Sequence, residues 1–270
     1  MKKYVLEPLT SLELNEIFDT HAIQVIDYFM RKAMFAQPEC MPGQSPLPIQ
    51  IPKEHIEQWV VQAIGASPVG AGSYAVDVLK EGEFGADVKM LSCKLTKQNK
   101  LANSQSGETS LAQKFKDTGD SLDQLFSQKQ YEKILTDWTS IVQKKLQKVI
   151  TEKKVPNIYY FFILRAGINF YLCGLKVHMD RLNNVSVQDA TKDSIFIKDY
   201  IAEKYGAVKI YKAKKRLELR LYPKQWVDDK LIIEFTMGNK SNNTKIRDLF
   251  INEEISEYRK KSIKDIFTIC

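Results

Sequence analysis

The 270-residue sequence is long enough for one large domain or two small ones, and with 44% hydrophobic and 10% aromatic residues it can form a sizeable core. The formal net charge of +7 favours polyanionic partners such as nucleic acid or an anionic membrane surface. The longest apolar segment, residues 158–164, is too short to cross a bilayer, and the basic N-terminus lacks the apolar run of a secretory signal. These features argue against a membrane protein and predict a soluble, cytoplasmic one.

The N-terminal part of the chain predicts two helices. Residues 10–35 have apolar side chains at roughly helical spacing, and Thr10 with Glu13 provides a capping pair at the start. A second helix is predicted from Pro52 or Lys53 to Ile64, and its polar face includes Glu57.

The next stretch predicts a β-hairpin. Residues 74–79 and 86–90 are β-compatible runs on either side of a turn at Glu81 and Gly82. Because strand side chains alternate between faces, Asp87 and Lys89 share one face of the second strand. The opposite face is apolar and consists of Ala86, Val88 and Met90. The pattern inverts after Met90, which predicts that the strand ends or bulges there.

The polar face of this hairpin has the groups that a Mg²⁺-dependent phosphodiesterase needs. Asp77 and Asp87 offer hard carboxylate oxygens, which Mg²⁺ prefers together with water and substrate phosphate oxygens. Lys89 would lie beside the attacking water and stabilise the charge that grows on phosphorus. The sequence therefore predicts Asp77, Asp87 and Lys89 as catalytic residues and the two aspartates as metal ligands.

This arrangement resembles the PD-(D/E)xK motif of type II restriction endonucleases, and residues 85–89 also resemble the matching strand of the methyl-directed mismatch-repair nickase. The chain departs from the pattern in two ways: Val76 stands where the motif has proline, and the gap between Asp77 and Asp87 is short. The resemblance implies that an acid on a helix before the first strand helps to hold the metal. Glu57 is the candidate for that role, and a solvated helix face is the alternative.

The register of the hairpin decides whether these residues can act together. A two-residue turn at Glu81 and Gly82 would place Asp77 across from Ala86, on the apolar face. A three-residue loop with a bulge, or a bulge at Gly85, would bring Asp77 to Asp87. An amphipathic hairpin with a solvated polar face is the structural alternative.

The middle of the chain predicts a helical segment and two strands. Residues 108–150 are predicted to be helical, with a break near residues 118–120. Residues 158–164 form an apolar run without alternation, typical of a strand buried on both faces at the centre of a mixed sheet, and residues 170–177 predict another strand. A hairpin with carboxylates, a long helix and a buried strand follow one another as in the restriction-endonuclease core.

The last third of the chain is strongly basic. Residues 194–205 predict a helix, and residues 216–221 alternate leucine with charged residues, which predicts a half-buried strand with a cationic face. The basic residues predicted to bind DNA here are Lys209, Lys212, Lys214, Lys215, Arg216, Arg220 and Lys224. Lys94, after the hairpin, would contact a phosphate if a bulge turned it outward. A solvated edge strand is the alternative for the basic strand. Residues 231–235, 238–245 and 246–267 predict a strand, a loop and a charged amphipathic helix.

Together these patterns predict a single α/β domain with a mixed β-sheet flanked by helices. It has three portions: a helical N-terminal portion of residues 1–65, a nuclease core of residues 66–182, and a basic recognition and dimerisation portion of residues 183–270. The resemblance implies a Mg²⁺-dependent type II restriction endonuclease that cuts double-stranded DNA as a homodimer and has a cognate DNA methyltransferase. The alternatives are a repair nickase or junction resolvase on the same core, and a nucleic-acid-binding protein without catalysis.

Overall fold

The structure, a computed structural model, describes residues 4–37, 43, 51–70, 72, 74–115 and 119–237. The predicted loop of residues 238–245 and helix of residues 246–267 lie outside these residues. The described helices are α1 (Ser11–Ile17), α2 (Thr20–Phe35), α3 (Lys53–Ala63), α4 (Leu122–Ser127), α5 (Tyr131–Lys153) and α6 (Pro223–Asp228), with a 3₁₀ helix at Met179–Asn184.

The larger of two sheets is mixed and contains the predicted hairpin. Its strands are β1 (Leu6–Pro8), β2 (Ser67–Pro68), β3 (Val78–Lys80), β4 (Phe84–Ser92), β6 (Asn157–Ala166), β7 (Asn169–Val177) and β12 (Ile233–Thr236). They follow the order β1-β7-β6-β4-β3-β2, and β12 also pairs with β7. The central strand β6 runs parallel to β4 and antiparallel to β7, which confirms the predicted buried strand in a mixed sheet.

The second sheet has five strands, all paired antiparallel. They are β5 (Thr109–Gln113), β8 (Ser186–Ala190), β9 (Ser194–Lys198), β10 (Gly206–Tyr211) and β11 (Arg216–Leu221), in the order β5-β11-β10-β9-β8. In β11 the three leucines are buried while Arg216 and Arg220 are partly exposed, as the alternation predicts, but Glu218, on the face of the arginines, is buried. Because β11 lies between β5 and β10, the edge-strand alternative is wrong for β11.

The two faces of the larger sheet pack into separate parts of the core. On one face, Ala86 and Val88 of β4 pack with Ile56 and Val60 of α3 and with residues of α1 and α2. On the other face, α5 and the five-stranded sheet form the second cluster, in which Trp138 is fully buried. The Asp87 face of β4 is therefore turned toward α5 and the second sheet. In the described residues no helix is both long and apolar enough to span a membrane.

Three predicted helices differ from the structure. The helix of residues 10–35 is two helices, because the Asp19 side chain accepts the Ala22 N–H at 2.8 Å and caps a new start. The capping pair of Thr10 and Glu13 is confirmed at the start of α1. Residues 109–113 form a strand instead of a helix, because their backbone pairs with β11, which lies a hundred residues later in the chain.

The third difference is in residues 194–205, where the structure has strand β9 instead of a helix. Ile195 and Ile197 are buried and alternate with the more exposed Phe196, which is the period of a strand. Asp199, with φ of +64°, follows the end of the strand. Pairing with β10 supplies the hydrogen bonds that a helix would have made internally.

Candidate active site

A three-residue loop sets the register of the hairpin. Glu83 donates its N–H to the carbonyl of Lys80 at 3.1 Å, and Gly82 has φ of +72°, a conformation that glycine adopts without strain. Lys80 pairs with Phe84, and Val78 pairs with Ala86. The structure therefore has the longer loop and not the two-residue turn.

The first strand of the hairpin begins later than the sequence predicts. Residues 74–77 precede β3, and Asp77 donates its N–H to the carbonyl of Ala86 at 2.8 Å. Since Ala86 also pairs with Val78, two residues stand opposite one, as in a β-bulge. At this irregularity the Asp77 side chain reaches β4 on the face of the sheet that bears Asp87.

The second strand, by contrast, is regular. Its pairing with β6 continues without a shift from Phe84 to Ser92, so the predicted end or bulge after Met90 is wrong. Leu91 follows Asp87 and Lys89 on their face and is buried there, because α5 and the second sheet cover that face. Lys94 lies beyond the end of β4 with an exposed side chain, and no bulge turns it.

Asp77, Asp87 and Lys89 are in direct contact. The Lys89 Nζ lies 2.8 Å from Asp77 Oδ2 and 2.7 Å from Asp87 Oδ1. The Asp77 Oδ2 also accepts the backbone N–H of Val88 at 3.0 Å, which fixes the first carboxylate to the strand that bears the other two residues. Tyr160, the β6 neighbour of Asp87, is buried and closes one side of the group.

Burial and neighbouring charges shift the pKa values of the three ionisable groups by different amounts and in different directions. Burial raises the pKa of Asp87 to about 7 despite its contact with Lys89, and the Asp77 carboxylate adds to the rise. Burial also works against ionisation of Asp77, but its hydrogen bond with Asp87 and the charge of Lys89 outweigh burial and lower its pKa. Burial alone would lower the pKa of Lys89, whereas the two carboxylates hold it above its ordinary value. Lys89 is therefore protonated at neutral pH.

The donor set suits a hard divalent cation. Three oxygens surround the Lys89 nitrogen: the two carboxylate oxygens and the carbonyl oxygen of Val88, at 3.1 Å. Carboxylate and carbonyl oxygens are the ligands that Mg²⁺ takes in proteins, with water or substrate completing the octahedron. By chemical type these oxygens fit the ion that the sequence predicts. Because the Lys89 ammonium contacts all three, Mg²⁺ could bind them only if that ammonium moved away.

Glu57 is not brought to this group. It lies on α3, whose apolar residues pack on the Ala86 and Val88 face of the sheet, opposite to the Asp87 face. Across the described ranges, no group of three or more histidine, cysteine or acidic side chains could hold a metal ion. A metal here would depend on two carboxylates, the backbone and water.

The three residues lie in an open cleft of about 420 Å³ between the larger sheet, α5 and β5. The cleft is also lined by polar and basic residues that the sequence analysis did not select, namely Tyr74, Ser110, Gln113, Lys114, Lys145 and Lys148. A smaller cavity of about 200 Å³ adjoins it, since Lys89, Ser110 and Gln113 line both. Lys145 and Lys148 are three residues apart on α5, along one edge of its apolar stripe, and this spacing is the signal that could have found them.

The predicted DNA-binding residues in β10 and β11, in the turn between them and in α6 are partly neutralised by acids. Four of them form ion pairs: Lys214 and Arg220 with Glu108, Lys215 with Asp123, and Lys224 with Asp228. Lys209 and Lys212 lie over the rings of Tyr211 and Phe126. Arg216 lines the smaller cavity, next to Lys89.

Comparisons of the chain with protein-family models, with curated proteins and with solved structures give no significant match. The resemblance to PD-(D/E)xK nucleases therefore rests on Asp77, Asp87 and Lys89 and on the elements around them.

Proposed function

We propose that the chain is a Mg²⁺-dependent endonuclease of the type II restriction class, which hydrolyses phosphodiester bonds in double-stranded DNA. The observation that carries the proposal is the contact of Lys89 with both Asp77 and Asp87 inside a cleft lined by further lysines. Buried acids of perturbed pKa in a cleft are characteristic of catalytic sites. The basic lining suits a polyanionic substrate.

Asp77, Asp87 and the Val88 carbonyl would hold the metal in place of the Lys89 ammonium, which contacts these oxygens in the metal-free chain and would move toward the attacking water. When bound, Mg²⁺ would offset the negative charge that grows on the attacking and leaving oxygens of an in-line displacement. Lys89 keeps its proton, so it acts as a hydrogen-bond donor and a positive charge and not as a general base. It would orient the attacking water and stabilise the phosphoryl oxygens in the transition state.

Sequence-specific cutting by a homodimer and a partner methyltransferase follow from the resemblance. In a dimer, two-fold protein symmetry would match a palindromic site. A nickase or a junction resolvase on the same core would use the same residues, and the cleavage products separate these possibilities. A cytoplasmic location accords with each of these activities.

The test is incubation of the protein with unmethylated plasmids, in Mg²⁺ or in EDTA. The variant Asp87→Asn keeps the side-chain shape, and we expect it to lower the cleavage rate at least about a hundredfold. Asp193→Ala is the matched control, because Asp193 is exposed in a turn of the second sheet, and it should cut like the wild type. Discrete linear fragments indicate a restriction enzyme, and open circles indicate a nickase. A gel shift of the plasmid without any Mg²⁺-dependent cleavage would replace the nuclease proposal with a binding protein.

A further inference from the structure

Three lysines line the cleft beside the carboxylates. Lys145 and Lys148 project from one face of α5, and Lys114 directly follows β5. Lys145 spans part of the gap between these two elements, because its Nζ lies 3.4 Å from the carbonyl oxygen of Gln113. The cations therefore form one group on two adjoining elements.

Among the described residues, Lys114 and Lys145 form no ion pair with a carboxylate, unlike Lys214 and Lys215 of the second sheet. Burial and the charge of Lys114 lower the pKa of Lys145. Lys89, Lys133, Lys204 and Lys214, which contact carboxylates, all have raised pKa values. A lysine crowded by a second lysine is stabilised by an anion from outside the chain.

An aromatic contact orders the outer end of the group. The Lys148 Nζ lies 4.9 Å from the ring centre of Tyr74, whose hydroxyl donates to Glu152 Oε2 at 2.7 Å. Tyr74 is thus held from both sides, and Lys148 is placed on the cleft side of α5. Glu152 lies at this outer end of the group, beside Tyr74.

The cleft is open and has a volume of about 420 Å³, which is enough room for a short piece of one strand's sugar-phosphate backbone. Any phosphate near Asp77 and Asp87 is repelled by them, and cations on the opposite wall offset that repulsion.

We infer that Lys114, Lys145 and Lys148 bind consecutive backbone phosphates of the DNA strand that is cut. This inference rests on the proposed function and names the contacts that hold its substrate. It moves the main phosphate-binding surface from the basic strand β11 to α5 and the end of β5. Arg216, in the adjoining cavity, lies where the backbone would leave the cleft.

The test measures binding without cleavage. A labelled 30-base-pair duplex is titrated in EDTA at several salt concentrations with wild type and with the double variant Lys145→Gln/Lys148→Gln. We expect the double variant to bind about tenfold or more weakly at low salt and to reduce the slope of log affinity against log salt by about 2, one per lost phosphate contact. The double variant Lys192→Gln/Lys198→Gln removes the same charge from exposed positions at the other side of the second sheet, and its slope should change by much less.

Two further measurements keep the inference distinct from the nuclease proposal. The variant Lys145→Arg/Lys148→Arg should bind nearly as the wild type, and a urea melt of each variant checks that the protein is folded. If the two glutamine variants weaken binding equally while the wild type still cuts plasmid, the inference is wrong and the nuclease proposal stands. If the wild type neither binds nor cuts, both are wrong. Selective loss of binding in Lys145→Gln/Lys148→Gln without any wild-type cleavage would support the phosphate contacts and reject the nuclease.

Discussion

The Asp77 carboxylate accepts the backbone N–H of Val88 at 3.0 Å, so the residue that precedes one strand is fixed to the middle of the next. Val88 is buried, and its N–H therefore depends on this carboxylate for a hydrogen bond.

This bond predicts a difference between two variants of Asp77. Asp77→Asn and Asp77→Ala both remove the charge, but only asparagine keeps an oxygen that can accept the Val88 N–H. We expect Asp77→Ala to be less stable than Asp77→Asn by about 1–3 kcal/mol, the cost of a buried unpaired donor. Urea unfolding of both variants measures the difference, and equal stabilities would show that the bond contributes nothing.

The raised pKa of Asp87 predicts how stability depends on pH in the metal-free protein. Between the ordinary aspartate value of 3.8 and about 7, the folded chain holds a proton on Asp87 that the unfolded chain has lost. The free energy of unfolding should therefore fall as the pH rises through this window. The lowered pKa of Asp77 changes the stability only at pH values below this window, and the raised pKa of Lys89 changes it only at pH values above the window. Urea melts in EDTA at pH 5, 6, 7 and 8 should show this fall in the wild type relative to Asp87→Asn. Parallel profiles would contradict the assignment.

Lys89 is the cation between the two carboxylates, and its removal should be costly. The exposed fractions of the side chains are 28% for Lys89, 25% for Asp77 and 14% for Asp87. Lys89→Met leaves two neighbouring acids without their cation, and we expect the free energy of unfolding to fall by about 2–3 kcal/mol at pH 8. This is toward the lower end of the range for a buried ion pair, because these side chains are partly exposed to solvent. At pH 5 the loss should be smaller, since Asp87 is then protonated. The double variant Asp87→Asn/Lys89→Met should recover part of the loss at pH 8. A loss that is the same at both pH values would instead indicate a packing effect.

Glu108 neutralises two of the cations on the second sheet. Its carboxylate contacts Lys214 and lies 2.6 Å from Arg220. Glu108→Gln should release Arg220 and leave Lys214 with only the buried Glu218, 3.6 Å away, so the affinity for duplex DNA should rise several-fold, with a steeper salt dependence. Glu132→Gln, at the exposed start of α5, removes the same charge away from these cations and is the control. Equal gains in the two variants would mean that net charge alone is responsible.

Several elements can be predicted from the sequence because their patterns are local and periodic. The capping pair at Thr10, the buried strand β6 and the leucine alternation of β11 are all visible in runs of a few residues, because they depend on side-chain spacing. Asp77, Asp87 and Lys89 could also be selected from a short stretch of sequence, because the chemistry of a carboxylate or an amine follows from the residue type alone.

Other features depend on pairing between segments that are far apart in the chain. Whether Asp77 meets Asp87 depended on a loop length that the residues left open, and the structure has the three-residue loop. Strand β5 has no strong local signal and forms because β11 supplies its hydrogen bonds, and the short alternation of β9 becomes a strand by pairing with β10. The same packing separates Glu57 from the two aspartates, brings Glu108 to the basic strand, and places Lys145 and Lys148 beside the site. Contacts between elements that are far apart in the chain produce no periodic pattern in the sequence of either element. Only the folded structure therefore shows these contacts.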